Sequence, residues 1–254
     1  MVQLSVNVNK VATLRNSRGG PIPSVLEAVR VCVEAGVPGI TVHPRADARH
    51  ITATDVVGVA DLLRTFERHV ELNIEGDPRP ELIALVRAVK PTQCTLVPVL
   101  PGEITSQAGW PPNTPPEELS AVVRALKSDA IRVSLFVDPG EAPIRWAAAM
   151  EADRVELYTE PFARAYERGP DSAEASFATY AAAAELANSL GLGVNAGHDL
   201  NLDNLQTFRR LPHLAEVSIG HALVSHALFV GLGRSVRQYL DALGDELRSV
   251  PNCQ

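Results

Sequence analysis

Apolar residues along the chain follow two alternating patterns. Short runs rich in Val, Ile and Leu, about four to eight residues long, have the composition of buried β-strands. Between them lie longer segments in which apolar residues recur at three- and four-residue spacing, which is typical of helices with one buried face. The strands predicted from the short runs are 3–9, 39–43, 70–75, 93–99, 131–138, 154–160, 191–197 and 215–221.

A helical pattern follows each predicted strand. The first one, "SVLEAVRVCVEAG", ends at Gly36, a residue type that commonly terminates helices. A later one begins at Thr52 with threonine caps and an acid in its first turn. The last is predicted as one long helix from about Ser225. By contrast, the segment 10–20 is interpreted as a polar loop rich in Arg and Gly.

The alternation of strands and helices determines the expected fold class. Strands separated by helices pair in parallel through right-handed crossovers. Eight such units in 254 residues favour a closed α/β barrel of the (β/α)₈ or TIM type over an open sheet. We find no linker, so residues 1–254 are expected to form a single domain. The irregular segment 100–117 is long for a βα loop and is predicted to be an active-site lid.

Composition excludes several classes of function. The formal net charge of -7 argues against a nucleic-acid-binding protein, which normally has a basic face. No apolar run is long enough for a membrane span, and the first residues lack the pattern of a secretory signal. The widely spaced Cys32, Cys94 and Cys253 suit neither a disulfide framework nor a zinc site. We therefore expect a cytoplasmic protein without a nucleic-acid or membrane partner.

Polar and ionisable residues gather where the predicted strands end. In a (β/α)₈ barrel the active site lies at the C-terminal ends of the strands, so we predict a site built from this set. Residues scattered by ordinary surface polarity would not share this position. In chain order the set is Asn7, Asn9, Lys10, Arg18, His43, Arg45, His50, Glu75, Asp138, Glu156, Glu160, His198, Gly220 and His221.

Two glutamates in this set lie within apolar strands. Glu75 follows "LNI" in a strand expected to be buried on both faces, where an unpaired carboxylate is unfavourable. Such burial raises the pKa of a carboxyl and prepares it to exchange protons near neutral pH. Glu156 in "VELY" is in the same situation, with a structural ion pair to an arginine as the alternative.

Other members of the set indicate a small anion, with phosphate as the first candidate. The cations Lys10, Arg15 and Arg18 follow the first strand, although lysine is otherwise rare in this chain. Strands seven and eight close with "AGH" and "IGH", where barrels often bind phosphate through backbone N–H groups. Three histidines and two glutamates could in principle bind a metal ion. We do not favour one, because no H-x-H or H-E-x-x-H spacing is present.

Seven segments resemble one known family throughout the chain, the pyridoxine 5′-phosphate synthases of vitamin B6 biosynthesis. The segments are "NVNKVATLRNSRGG", "GITVHPRADARHIT", "LNIE", "EIT", "IRVSLFVD", "SLGLGVNAGHDL" and "SIGHA". The resemblance implies a (β/α)₈ barrel with extra helices that assembles as a homo-octamer. It also implies a transferase that condenses 3-amino-2-oxopropyl phosphate with 1-deoxy-D-xylulose 5-phosphate, without metal or organic cofactor.

The resemblance also implies a role for each matching residue. His43 and Glu75 would be the acid–base residues of Schiff-base formation, enolisation and ring closure. His198 would donate a proton, and Glu156 would stabilise developing positive charge. The aminoketone phosphate would be held by Asn7, Arg18, Gly220 and His221, and the sugar phosphate by Arg45, His50 and Thr105.

The chain departs from the family at several positions near the second substrate. Family members usually have Asp-His where this chain has Asn9-Lys10, and both positions belong to the sugar-phosphate site. Asp199 stands where a glycine usually follows the catalytic histidine, close to a phosphate site. Elsewhere Tyr158 replaces a histidine, Glu160 a glycine and Val99 an acid.

These departures leave three functional hypotheses open. The first is the family reaction itself. The second is a divergent enzyme that condenses an amino-ketone phosphate with another carbonyl partner. The third is a non-catalytic protein that binds phosphorylated metabolites, which the presence of His43, Glu75 and His198 disfavours.

Overall fold

The computed structural model describes residues 1–98 and 107–244, and within them the chain forms a closed barrel of eight parallel strands. The strands pair in chain order, and β8 closes the barrel against β1. The predicted (β/α)₈ fold is therefore confirmed. The strands are β1 Gln3–Asn7, β2 Gly39–Val42, β3 Glu71–Gly76, β4 Gln93–Leu96, β5 Arg132–Val137, β6 Arg154–Tyr158, β7 Gly193–Gly197 and β8 Leu214–Ile219.

Helices surround the barrel, and within the described part of the chain three of the strands are followed by two helices instead of one. Two helices follow β1, two follow β6 and two follow β8. The helices within the described ranges are α1 Asn9–Asn16, α2 Val25–Glu34, α3 Ala53–Leu63, α4 Pro80–Val89, α5 Pro116–Ser128, α6 Glu141–Ala149, α7 Glu160–Glu167, α8 Pro170–Ser189, α9 Leu205–Phe208, α10 His221–Val230 and α11 Leu232–Ala242.

The strands place apolar residues outside the barrel and polar residues inside it. Leu4 and Val6 of β1 are buried in the apolar core, whereas Ser5 between them bonds Thr41 Oγ1 at 2.7 Å. Hydrogen bonds between strands that are not neighbours must cross the barrel interior. One of them joins Asn195 Nδ2 to Gln93 Oε1 at 3.3 Å. The barrel interior therefore contains a buried polar network. At the C-terminal ends of the strands this network is continuous with the predicted active site.

Two predicted elements differ from the structure. Strand β1 ends at Asn7, and the segment predicted as a polar loop begins with helix α1, whose Val11 and Ala12 are buried. The single C-terminal helix is two helices. They meet at Gly231, whose φ of 86° lies in the left-handed region that favours glycine and interrupts a helix.

The predicted lid is only partly within the described ranges. Its residues 100–106, including Thr105, lie outside them, as do Val99 and Cys253. The described part is anchored, because Trp110 Nε1 donates to the Leu96 carbonyl at 2.9 Å and the Trp110 ring stacks on Trp146. Helix α5 begins at Pro116, so the segment ends slightly earlier than predicted.

Candidate active site

Three of the four predicted catalytic residues lie at or just beyond the C-terminal ends of their strands, and the fourth, Glu156, lies in the middle of β6. Glu75 is in β3 and Glu156 in β6, whereas His43 directly follows β2 and His198 directly follows β7. All four are largely removed from solvent. His43 Nδ1 lies 3.8 Å from Glu75 Oε2, so the two residues assigned to acid–base chemistry are neighbours.

Two asparagines connect this pair. The His43 N–H donates to Asn9 Oδ1 at 2.9 Å, and the Asn9 N–H donates to Asn7 Oδ1 at 3.0 Å. Asn7 Nδ2 in turn donates to Glu75 Oε2 at 3.4 Å. Asn7 and Asn9 therefore position His43 and Glu75 relative to each other, while their predicted contacts with substrate stay predictions.

Burial makes both members of the pair neutral near neutral pH. Desolvation holds the pKa of His43 well below its ordinary value, and the charges of His50, Arg45 and Arg79 lower it further. Desolvation raises the pKa of Glu75 to about 8, with a smaller contribution from Glu216. The contact is thus between a neutral imidazole and a carboxylic acid rather than an ion pair. His43 Nε2 is buried without a hydrogen-bond partner among the described residues, so it can bond a substrate.

Glu156 lies in the same interior with no salt bridge among the described residues, which disfavours the structural ion pair considered above. Desolvation raises its pKa well above the usual range, as do the charges of Glu75 and Glu216. Glu156 Oε2 has no hydrogen-bond partner within the described part of the chain. A Cβ at Gly197 would lie 2.5 Å from Glu156 Oε1 and 3.2 Å from the Ser218 carbonyl oxygen, so a larger residue there would displace the Glu156 carboxyl.

Glu216 was missed in the sequence. It is 3% exposed in β8, and Asn195 Nδ2 donates to its Oε1 at 3.5 Å. Burial raises its pKa to about 7, although Arg154 acts in the opposite direction. The available signal was a glutamate within an apolar strand, "LAEVSI", the same signal that identified Glu75 and Glu156.

Arg79 at the start of α4 was also not predicted from the sequence. Its guanidinium donates to the Pro44 carbonyl and pairs with Asp77. It therefore connects the loops after β2 and β3.

His198 has a strained backbone that its neighbours hold in place. His198 and Asp199 have φ angles of 86° and 57°, which non-glycine residues rarely adopt, and such strain is often found at functional sites. The Thr159 hydroxyl donates to the carbonyls of Gly197 and His198. The His198 ring lies 5.2 Å from Tyr158. Desolvation lowers the pKa of His198, which keeps the ring neutral, while Asp199 and Glu160 oppose the shift.

The residues assigned to the first phosphate lie near β1 and β8. Gly220 caps α10 and His221 begins it, so the positive end of this helix faces the C-terminal ends of the strands. A Cβ at Gly220 would lie 3.0 Å from the Asn7 carbonyl oxygen, which explains the glycine. Arg18 is exposed just beyond α1. These positions suit an anion, whereas Arg15 does not take part, because it pairs with Asp55.

Arg45 and His50, two of the residues assigned to the second phosphate, lie in the same loop as His43, between β2 and α3. The His50 ring is 5.9 Å from the His43 ring, and Arg45 is buried in this loop. Desolvation lowers the pKa of His50 to about 4, and the charges of Arg45 and Lys10 add to the shift. The charge of Lys10 also lowers the pKa of His198, so Lys10 lies near both histidines at the barrel mouth.

The described ranges contain no cluster of three or more His, Cys, Asp or Glu side chains arranged to hold a metal ion. None of their helices is long and apolar enough to cross a membrane.

Comparison with known proteins identifies close relatives of the whole chain. A family model described as "Pyridoxal phosphate biosynthesis protein PdxJ" matches residues 4–245. A protein of Bacteroides thetaiotaomicron named pyridoxine 5′-phosphate synthase is 51% identical over 244 residues, which cover 96% of this chain and 100% of that protein. A protein of the same name from Leptospira biflexa is 47% identical over 96% of this chain and 97% of that protein. Another from Xanthomonas oryzae is 50% identical over 95% of this chain and 96% of that protein.

Solved structures of more distant proteins share the fold. Phosphoribosyl anthranilate isomerase from Thermotoga maritima superposes with a TM-score of 0.62 at 13% identity, covering 96% of this chain and 100% of that one. At this identity the similarity concerns the barrel alone.

Proposed function

We start from the family to which this chain belongs, the PdxJ family of pyridoxal phosphate biosynthesis proteins, and propose how its site works. The chain is an enzyme of vitamin B6 biosynthesis, a pyridoxine 5′-phosphate synthase. It condenses 3-amino-2-oxopropyl phosphate with 1-deoxy-D-xylulose 5-phosphate to pyridoxine 5′-phosphate, phosphate and water. The observation that best supports the proposed mechanism is the contact between neutral His43 and protonated Glu75, with His43 Nε2 open to a ligand.

The first step of the proposed mechanism joins an amine to a ketone. Attack of the amine gives a carbinolamine, and loss of its hydroxyl as water requires a proton on that oxygen. A carboxylic acid with a pKa of about 8 holds this proton at neutral pH and can take one back afterwards. Glu75 therefore serves as the acid in dehydration and, once ionised, as the base in enolisation.

The two histidines complete the proton transfers. Neutral His43 accepts a proton at Nε2 from an acidic C–H or an attacking hydroxyl. His198, once it has taken a proton from an attacking hydroxyl or amine, returns that proton to a departing oxygen of the substrate. Burial disfavours the charged form of both imidazoles, so each releases its proton readily once it has gained one.

Glu156 responds to the charge that the reaction creates. It is protonated in the free enzyme, where burial and the other carboxyls oppose its ionisation. An iminium formed beside it would favour the carboxylate, because a nearby positive charge lowers the pKa of an acid. Glu156 thus stabilises the cation by ionising as the cation forms, and its proton passes to a departing oxygen of the substrate.

Basic side chains and backbone N–H groups bind the two phosphates. The aminoketone phosphate binds at the N-terminus of α10, near Gly220, His221, Asn7 and Arg18. The sugar phosphate binds Arg45, His50 and Thr105, with Lys10, Asn9 and Asp199 at the rim of its pocket. Guanidinium groups and a neutral imidazole N–H are suitable donors to phosphate oxygens.

A mass-spectrometric assay with both substrates tests the proposal. We expect pyridoxine 5′-phosphate to form, and to form equally well after exhaustive chelation of divalent ions, because the proposed steps need only proton transfer and phosphate binding. Binding of both phosphates without product would support a non-catalytic protein. Loss of activity on chelation that a divalent ion restores would overturn the metal-free mechanism.

A second candidate is a divergent enzyme that uses another carbonyl partner. It is favoured by the departures at Asn9, Lys10 and Asp199, which the resemblance to the family assigns to the second substrate's site or to a phosphate site. The same assay distinguishes it, because such an enzyme would consume the aminoketone phosphate only when a different carbonyl compound is supplied.

Lys10 provides a sharper test of that side of the site. It lies at the start of α1, close enough to His50 and His198 to lower the pKa of each. As an ammonium it would hold a substrate oxygen, whereas as a neutral amine it could form its own Schiff base. We propose the ammonium, because the substrate supplies the amine and Asp199 lies on the same rim.

We expect Lys10→Ala to raise the KM for deoxyxylulose phosphate about 10-fold with little change in kcat. The Lys10→His variant should still accept deoxyxylulose phosphate as a substrate. Borohydride treatment with either ketone substrate should leave Lys10 unmodified. The matched control is Lys90→Ala, which removes an exposed lysine that follows α4. A reduced adduct on Lys10, or kinetics of Lys10→Ala equal to those of wild type, would contradict this role.

We also propose that the protein is a cytoplasmic homo-octamer. Leu228 and Phe229 on α10 are 71% and 88% exposed, and adjacent exposed apolar side chains often mark contact surfaces. Cys32 and Cys94 are free and buried, in keeping with a reducing compartment. Light scattering should give eight times the chain mass of 27.2 kDa, and a monomer mass at working concentration would reject the octamer.

A further inference from the structure

Arg15 is the cation after β1 that the proposed reaction does not use. Its guanidinium forms a two-bonded pair with Asp55 at the start of α3, with Nη1–Oδ1 at 2.5 Å and Nη2–Oδ2 at 2.9 Å. The two side chains are only 15% and 13% exposed. A bidentate pair with little access to water has more geometric specificity than an ordinary surface ion pair.

Asp55 is itself held at the start of α3. Its Oδ2 accepts from the Thr52 N–H at 2.8 Å and from the Thr52 hydroxyl at 2.9 Å, while its own N–H donates to Thr52 Oγ1 at 3.2 Å. This capping box fixes the carboxylate. Burial would raise the pKa of Asp55, but the bonds from Arg15 and Thr52 outweigh it and lower the pKa, so the pair is charged at neutral pH.

The same pair reaches the backbone of His50. Arg15 Nη2 donates to the His50 carbonyl at 3.3 Å. Arg15 Nε donates to Asn16 Oδ1 at 2.9 Å, which orients the Asn16 amide so that its Nδ2 donates to the same His50 carbonyl at 2.9 Å. Two adjacent side chains of α1 thus hold one carbonyl oxygen in the loop after β2.

The His50 ring is fixed from its other side. The Ile51 N–H donates to His50 Nδ1 at 3.0 Å. A ring nitrogen that accepts a hydrogen bond carries no proton, so the neutral imidazole has its proton on Nε2. The carbonyl bonds and the Nδ1 bond together leave Nε2–H as the donor of His50 available to a ligand.

We propose that Arg15 and Asp55 are positioning residues that direct the His50 Nε2–H donor into the second phosphate site. They act through the His50 carbonyl and do not touch the substrate. The sequence made Arg15 a candidate for direct anion binding, whereas its bonds here are with the protein. The inference rests on the proposed function for the identity of the ligand, but the geometry of His50 can be measured without it.

The kinetic test compares Arg15→Gln with Asp55→Asn. Each should raise the KM for deoxyxylulose phosphate by about 10-fold or more, because a misdirected His50 no longer donates a charge-assisted hydrogen bond to the phosphate. The kcat and the KM for the aminoketone phosphate should stay within about 3-fold of wild type. The double variant should be little worse than either single one, because both break one interaction. The matched control is Arg87→Gln, which breaks an exposed ion pair with Asp129.

The second readout is the ¹⁵N NMR spectrum of the histidine side chains, with the His50 signals assigned from their absence in His50→Gln. Wild type should show the Nε2–H tautomer with Nδ1 unprotonated at neutral pH. Arg15→Gln should give a mixture of the Nε2–H and Nδ1–H tautomers. Arg15→Lys, which keeps the charge and not the two-bonded geometry, should give an intermediate result and replaces Arg15→Gln if that variant does not fold.

A folded Arg15 variant with an unchanged His50 tautomer and unchanged KM would overturn the proposal, because Arg15 would then only stabilise the fold. The spectrum also separates this proposal from the functional one. If the wild-type protein makes no product, the proposed function fails, yet the effect of Arg15 on the His50 ring can still be seen.

Discussion

Glu75→Gln should lower kcat by about 10²- to 10⁴-fold, the usual loss when a general acid–base residue is removed. Glutamine has nearly the same volume, and its carbonyl oxygen can still accept the bond from Asn7 Nδ2. It cannot donate a carboxyl proton or take one back. Binding of both phosphates should therefore persist, so the KM values should change little, and circular dichroism should show an intact fold.

The matched control for this variant is Glu71→Gln. Glu71 lies at the opposite end of β3, where it pairs with Arg132 away from the barrel mouth. The same chemical change there should leave kcat within a few-fold of wild type, even if stability falls. A folded Glu75→Gln variant that retains more than about a third of wild-type activity would show that Glu75 is structural.

The second large effect concerns stability against pH. Burial raises the pKa of Glu75 to about 8 and that of Glu216 to about 7, whereas in the unfolded chain both ionise near pH 4.5. Between these values the unfolded chain releases protons that the folded protein retains, so the free energy of unfolding falls as pH rises. Each carboxyl contributes at most about 1.4 kcal/mol per pH unit.

The histidines act in the opposite direction at lower pH. Burial lowers the pKa of His43, His50 and His198, so below their ordinary value of 6.5 the unfolded chain binds more protons. Their contribution to stability increases with pH and is nearly complete at about pH 7.5, one unit above the pKa of the unfolded histidines. Between about pH 6.5 and 8 the histidines therefore partly oppose the buried carboxyls. The difference between wild type and Glu216→Gln isolates the carboxyl, because the histidines contribute equally to both proteins.

Urea unfolding of wild type and Glu216→Gln at the two ends of this interval measures the effect. Wild type should be less stable at the higher pH, and Glu216→Gln should lose a smaller part of its stability over the same interval. Glu34→Gln, at an exposed position near the end of α2, should behave as wild type does. A Glu216→Gln variant that loses as much stability as wild type over this interval would mean that Glu216 is already ionised in the folded protein.

Sequence patterns were sufficient for the architecture of the barrel. Each strand was found within a few residues, because buried parallel strands are short apolar runs separated by longer amphipathic segments. Glu75 and Glu156 could be recognised for a related reason, since a carboxyl buried within such a run is unfavourable unless it has a chemical role or a partner. Glu216 carried the same signal as the third residue of β8, as Glu156 did as the third residue of β6, and was overlooked.

Local signals were ambiguous where tertiary packing decides the structure. The segment 9–16 contains mainly polar residues, yet Val11 and Ala12 are buried against the barrel and make it helix α1. This shift moves Asn9 and Lys10 from a strand end to a helix start. It also turns Arg15 from a candidate anion ligand into a partner of Asp55.

The sequence by itself determined the eight-stranded barrel, its membership of a family and the set of residues at one rim. Those properties follow from the periodicity and order of residues along the chain. The tertiary structure alone decided which of these residues are in contact, as His43 is with Glu75, and which ones hold others in place, as Arg15 and Asn9 do. The reason is physical, because pKa values and hydrogen bonds depend on burial and on neighbours that are far apart in the chain. His43 is neutral here and Glu75 protonated because the folded barrel removes both from water.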